Sequence, residues 1–368
     1  MWKWVVSMVL LMALSTLEVA SAAQGTLPVE IKPTDPNLYY TGRFDMRDAA
    51  GPRCQWSGCM VTIRFRGTDL QAGIQESGDN YLEVIVDNTP RQIVHSVKGA
   101  NVVDLARGLS EGEHVARVMK RTEAMVGMMQ FTGFYVNAGG KLLKPQRLAR
   151  KIEVIGDSIS CGYGNEGANE KEHFAAATEN AWLTYGAITA RELGAEYVCV
   201  AWSGKKMWPD KTIPAIYDLT LPNDSQSTWN FASWQPDVVL INLATNDFGG
   251  QENPDEIKWT GAYKEFLRHV RKNYPNAVIY IASGTMMQDQ WPPDRKVLST
   301  LKRYMQRIED EMKAEGETKL HQIHFGVQNA KIDGMGSDWH PSVKTQQKMA
   351  RQWIETLTKE LGWNPVTQ

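Results

Sequence analysis

Four short stretches of this chain carry side chains able to support nucleophilic chemistry, and they lie far apart in sequence. Gly156-Asp157-Ser158-Ile159-Ser160 closes an apolar run, KIEVIG, that reads as a buried strand. A serine directly after such a strand presents its hydroxyl at the sheet's carboxyl edge with its own backbone N–H exposed. Those are the two requirements of a hydrolytic serine: an accessible oxygen and an amide that stabilises a developing oxyanion. The stretch is not the G-x-S-x-G elbow, because position 160 is Ser and Gly follows at 162. Ala201-Trp202-Ser203-Gly204 ends a second predicted strand and can aim the Gly204 amide at the same crevice. Ala244-Thr245-Asn246-Asp247 ends a third, with the Asn246 side-chain amide as another donor. Asp338-Trp339-His340-Pro341 stands just before the last predicted helix and supplies an imidazole, with a carboxylate two residues upstream.

The other polar residues near these stretches read as structural. Asp157 fits a turn or helix cap, Asp247 a loop brace, His173 a solvated loop and His269 a helix surface. His321 and His324 share one predicted strand at odd spacing, so they face opposite sides and cannot pair on a metal. No paired C-x-x-C or accompanying His motif exists, so neither zinc nor any other cofactor is expected.

The elements that must position these residues divide the chain in two. From Lys151 onward strands alternate with helices. The strands are KIEVIG, AEYVCVAW, PDVVLINLATND, AVIYIASG and LHQIHFG. The helices are ENAWLTYGAITARELG, PDEIKWTGAYKEFLRHVRKNYP, DRKVLSTLKRYMQRIEDEMKAEG and HPSVKTQQKMARQWIETLTKEL. This pattern predicts a mainly parallel sheet covered on both faces, a three-layer flavodoxin-like α/β domain over residues 150–365. In such sheets the chemistry gathers at the strands' carboxyl ends. Before it, CMVTIRFRG, NYLEVIVDN, RQIVHSV, EHVARVMKRT and MMQFTGFYVN alternate apolar and polar residues between turn formers. They predict an all-β sandwich or jelly roll over residues 37–145, with Gly139–Pro145 as the linker.

Ser after the first strand, Gly after the second, Asn after the third and a late His make this half resemble the SGNH (GDSL) hydrolases, from Lys151 to about Leu361. Two positions depart from that pattern. The third block begins with Ala244 where the family usually has Gly, and the residue three before His340 is Ser337 where the family usually has Asp. GDSISCGYGN, NLATNDF, SDWHPS and the leading β-domain resemble carbohydrate esterase family 2 more closely, over nearly the whole mature chain. That resemblance implies removal of O-acetyl groups from polysaccharides such as xylan or glucomannan. It implies Ser158 as nucleophile, His340 as general base, and the Ser158 and Gly204 amides with the Asn246 side chain as the oxyanion hole. Asp338 is the candidate to orient His340, a backbone carbonyl being the alternative. Trp339, Tyr163 and Trp208 lie beside these blocks as candidate sugar platforms.

Bulk properties narrow the class. The 368 residues are enough for two domains, and a net charge of −2 offers no field for nucleic acid or anionic lipid. Residues 1–22 combine Lys3, an apolar run from Val5 to Leu14 and small residues at Ala20 and Ala22, a secretory signal. The run is shorter than the ~20 apolar residues of a spanning helix. The mature chain is therefore expected outside the cytoplasm, without a membrane span or an obligate protein partner. Cys54 and Cys59 flank a turn-like tetrapeptide and are candidates for a disulfide in that compartment. Two alternatives stay open: a carbohydrate-binding protein with an idle hydrolase half, and an esterase of peptidoglycan or small esters.

Overall fold

The computed structural model describes residues 28–366, so the signal segment expected over residues 1–22 lies outside the described residues. Among the described residues no helix is long and apolar enough to cross a membrane.

The first half is a sandwich of two antiparallel sheets, six strands in each. Alternation drives it. In Met60–Arg66 the side chains of Val61, Ile63 and Phe65 are fully buried, while Arg66 points to solvent. Opposite them, Val118 pairs with Val61 and Ala116 with Ile63, so two apolar stripes meet in register. Strands Leu70–Glu76 and Gly99–Ala106 complete the second sheet beside Met129–Val136. The expected linker is partly a strand. Gly139, at φ +78, turns the chain back, and Lys141–Leu143 then pairs with Met60–Arg66, Leu142 opposite Phe65.

The second half holds five parallel strands: β1 (Arg150–Gly156), β2 (Ala195–Ala201), β3 (Val238–Asn242), β4 (Val278–Ser283) and β5 (Leu320–His324). Their order is β2-β1-β3-β4-β5. Four helices cover them: α1 (Tyr185–Glu192), α2 (Glu256–Asn273), α3 (Val297–Ala314) and α4 (Val343–Leu361). Successive strand residues serve opposite layers. Val154, Leu240 and Tyr280 pack in one core with Ile188 of α1 and Trp353 of α4. Ile155, Ile241 and Ile279 pack in another with Trp259 of α2 and Leu301 of α3. That second core runs on without a break into the sandwich, through Trp56, Val61 and Phe131. The helix expected over ENAWLTYGAITARELG is shorter. Thr184 caps α1 by accepting from the Ala187 amide, and Ala181–Leu183 ahead of it form a 3-10 turn.

The cysteines correct one expectation. Cys54 and Cys59 are neighbours, but both are buried free thiols, as are Cys161 and Cys199.

Candidate active site

The strand register assembles the site. Gly156 at the end of β1 pairs with Ala201 of β2 on one side and Asn242 of β3 on the other. The three chain segments that carry Ser158, Gly204 and Asn246 therefore leave the sheet together at its carboxyl edge. Two bonds tie the exits to one another. The Trp202 amide reaches the Gly156 carbonyl at 3.4 Å, and Asn246 Nδ2 donates to the Lys205 carbonyl at 2.9 Å.

Ser158 opens a single helical turn, Ser158–Cys161, for which Asp157 is the cap. The Asp157 carboxylate accepts from the Ile159 amide at 3.0 Å, the structural role expected of it. Burial pushes its pKa up to about 7. Asp247 likewise braces loops, accepting from the Met207 and Trp208 amides and from Trp259 Nε1 at 2.8 Å.

Ser158 Oγ and His340 Nε2 lie 2.8 Å apart, although 182 residues separate them. The other ring nitrogen, Nδ1, is 3.1 Å from each of the Ser337 and Asp338 carbonyl oxygens. Carbonyls only accept, so Nδ1 carries the proton and Nε2 presents its lone pair to the serine hydroxyl. This is the tautomer a general base requires. Burial holds the imidazole below its ordinary value of 6.5, and the two carbonyls offset part of that effect.

The loop around His340 is pinned on every side. Ser337 donates its amide to the Gly164 carbonyl at 2.9 Å, Asp338 to Glu172 at 2.9 Å, and Gln328 Nε2 reaches the Trp339 carbonyl at 2.9 Å. Gly164, at φ +51, sits so close to Ser337 that a Cβ there would collide with its side chain. The Tyr163 ring packs on His340, with centroids 4.2 Å apart, and on Phe174 at 4.6 Å.

Asp338 does not orient His340 through its carboxylate, and this corrects the expectation. The carboxylate accepts instead from the Tyr163 hydroxyl at 2.8 Å and the Phe174 amide at 3.0 Å, and contacts His173 Nδ1 at 2.8 Å. The His173 and Tyr163 bonds hold its pKa below the ordinary carboxylate value. The cause is local geometry. Asp338 and Trp339 are both left-handed, at φ +48 and +65, which turns the backbone carbonyl toward the ring and the side chain away. Ser337, the counterpart of the family's usual Asp, also contributes only its carbonyl.

The aromatic candidates separate. Trp339 is 59% exposed beside His340 and keeps an open face. Tyr163 is a support for His340 rather than a free platform, with its hydroxyl already engaged by Asp338. Trp208 is half-buried and packs on the core. Of the remaining histidines, His173 is exposed as expected, though bonded to Asp338, and His269 pairs with Asp218 on the surface of α2. His324 contacts Ser283 Oγ at 3.0 Å.

Sequence reasoning passed over a set of buried acids behind the site. Glu123 and Glu179 are fully buried, and with Cys161 their ligating atoms converge within 4.8 Å. No spacing along the chain announces this cluster, because its members come from both halves of the molecule.

Residues 40–145 match the carbohydrate esterase 2 N-terminal family, and residues 154–348 match the GDSL-like lipase/acylhydrolase family. A solved family two carbohydrate esterase from Clostridium thermocellum, in complex with cellohexaose, superposes with a TM-score of 0.83 at 39% identity. The match covers 89% of this chain and 99% of that one. The cellulase/esterase CelE of Acetivibrio thermocellus is 38% identical over 89% of this chain, which spans 40% of that relative's length. An acetylxylan esterase / glucomannan deacetylase of Cellvibrio japonicus is 28% identical, over 90% of this chain and 91% of its own.

Proposed function

The chain belongs to the GDSL-like lipase/acylhydrolase family and, within it, to carbohydrate esterase family 2, and from that premise we propose that it is an exported serine esterase removing O-acetyl groups from xylan- or glucomannan-type polysaccharides. The observation that carries the reading is the 2.8 Å contact between Ser158 Oγ and His340 Nε2, with Nδ1 held by two carbonyls. As the Ser158 oxygen attacks the acetyl carbonyl carbon, its proton passes to Nε2. The carbonyl oxygen becomes an oxyanion, received by the Ser158 and Gly204 amides and the Asn246 side chain. Collapse breaks the bond to the sugar oxygen, which takes the proton from His340, departs as a free hydroxyl and leaves an acetyl-serine. Water then repeats the cycle, giving acetate and the free serine. Asp338 takes no direct part, so the machinery is a dyad supported by backbone.

A second reading, binding of unacetylated glucan chains, is favoured by the 59% exposure of Trp339 and by the cellohexaose complex of the relative. One experiment separates the two. Acetate release from acetylated xylan, glucomannan and peptidoglycan is measured side by side, for the mature protein and for Ser158→Ala. Release from the plant-type polymers, reduced by about a thousandfold or more in Ser158→Ala, supports the esterase. Cello-oligosaccharide binding without acetate release from any polymer would sink it.

A further inference from the structure

Directly behind the turn that carries Gly204 lies a carboxyl pair contributed by both halves of the molecule. Glu123 follows the sandwich strand Glu113–Lys120, and Lys120, Arg121, Thr122 and Glu123 are all fully buried. Both of its carboxylate oxygens accept from Ser203, and the Cys161 thiol also reaches Oε2 at 3.8 Å. Oε2 accepts from the Ser203 amide at 2.8 Å, and Oε1 accepts from the Ser203 hydroxyl. Ser203 is the residue before Gly204, whose φ is +77. Asn246 holds the other side of the same turn through the Lys205 carbonyl.

Glu179 completes the arrangement. Its Oε2 accepts from the Glu123 amide at 2.9 Å, while its buried Oε1 has no amine, amide or hydroxyl partner among the described residues. Two carboxylates in contact in a dry interior cannot both stay ionised. Glu123 is committed as an acceptor on both oxygens, so the proton belongs to Glu179, on the oxygen otherwise left without a partner. Burial raises Glu179 well above the ordinary carboxylate value, in the same sense. Lys120 Nζ, itself fully buried, donates to the Thr122 carbonyl at 2.7 Å and the Glu123 carbonyl at 3.1 Å, which places an amine beside the pair.

We infer that Glu123, carrying a proton-sharing bond from Glu179, is the positioning residue that sets the Ser203–Gly204 turn, so that the β-sandwich braces an oxyanion hole whose donors all come from the α/β half. The inference rests on the esterase reading given above. A misplaced donor weakens only the transition state, since the ground-state carbonyl does not depend on it.

The test uses the full mature chain. Glu123→Ala should lower kcat on an acetyl ester about 10- to 100-fold with KM changed less than about twofold. Glu123→Gln, which keeps an acceptor and gains a donor, should recover most of that loss. Hydrogen exchange of the Ser203 and Gly204 amides is read in the same variants. It should accelerate in Glu123→Ala and stay slow in Glu179→Gln, whose amide donates where the carboxylic acid does. If Glu123→Ala fails to fold, Ser203→Ala, which removes the hydroxyl bond alone, takes its place with a smaller expected loss in kcat. An unchanged kcat with unchanged exchange in Glu123→Ala or its substitute overturns the inference. So does a stoichiometric divalent ion in the wild type that Glu179→Gln abolishes, since the pair would then be ligands. A wild type inactive on every acetyl ester defeats the esterase reading, and the exchange data still decide whether Glu123 holds the turn.

Discussion

His340 is oriented by two neutral carbonyl oxygens, where many serine hydrolases use a carboxylate. A carbonyl fixes the tautomer as well as a carboxylate does, but it stabilises the imidazolium less. Two outcomes follow at the scale of the residue. In a triad, removing the carboxylate's charge costs about 10⁴ in kcat. Here Asp338→Asn should change kcat less than about fivefold, because its side chain serves Tyr163, Phe174 and His173. A loss above a hundredfold would contradict the dyad. The second outcome concerns pH. The imidazole must be neutral to accept the serine proton, and burial holds its pKa below 6.5. Activity should be fully present above that value and fall as pH drops through the lowered pKa. A profile of kcat/KM with an acid limb centred above 7 would show that His340 is charged by a partner the geometry does not contain.

At the scale of the element, the candidate site is a set of strand exits braced by buried acids. Asp247 gathers two amides from the loop after β2 and the indole of Trp259 on α2. A buried donor left without an acceptor costs about 1–3 kcal/mol. Asp247→Ala should therefore destabilise the protein by about 2–4 kcal/mol and lower kcat through its neighbour Asn246. Chemical denaturation with kinetics on the same samples checks both. Full stability with normal kcat would mean that the loop is held elsewhere. The loop before α4 obeys the same logic, its shape depending on Gly164 lying flat against Ser337.

At the scale of the whole molecule, the sandwich and the α/β half share one continuous core and a buried polar seam. Arg43 of the sandwich pairs with Glu153 of β1 at 3.6 Å, both fully buried, while Tyr217 and Tyr274 donate to the same carboxylate at 2.6 and 3.0 Å. The guanidinium also lies over the Tyr217 ring at 4.8 Å. Removing one partner strands the other charge in the interior, which costs about 3–5 kcal/mol. Arg43→Ala should lose about that much stability, and the wild type should unfold in a single cooperative transition. Two separate calorimetric transitions in the wild type would show that the halves are independent.

The order and setting of the four blocks were legible in the amino-acid sequence, since a buried strand followed by a turn residue puts that residue at the sheet's edge. The change of period near residue 150 likewise announced a β half and an α/β half, because side-chain alternation is a local property of the backbone. What the spacing left open was decided by tertiary structure. Whether His340 meets a carboxylate or a carbonyl depends on two left-handed residues, Asp338 and Trp339, that the surrounding loop enforces. Gly139–Pro145 reads as linker by composition, yet Lys141–Leu143 is a strand, because its pairing partner lies some eighty residues away. Glu123 directly follows a predicted strand, and its burial depends on Glu179 and Ser203, 56 and 80 residues away, to satisfy it. A local pattern reports which face of an element is apolar. It cannot report which distant polar group will arrive to satisfy a buried charge.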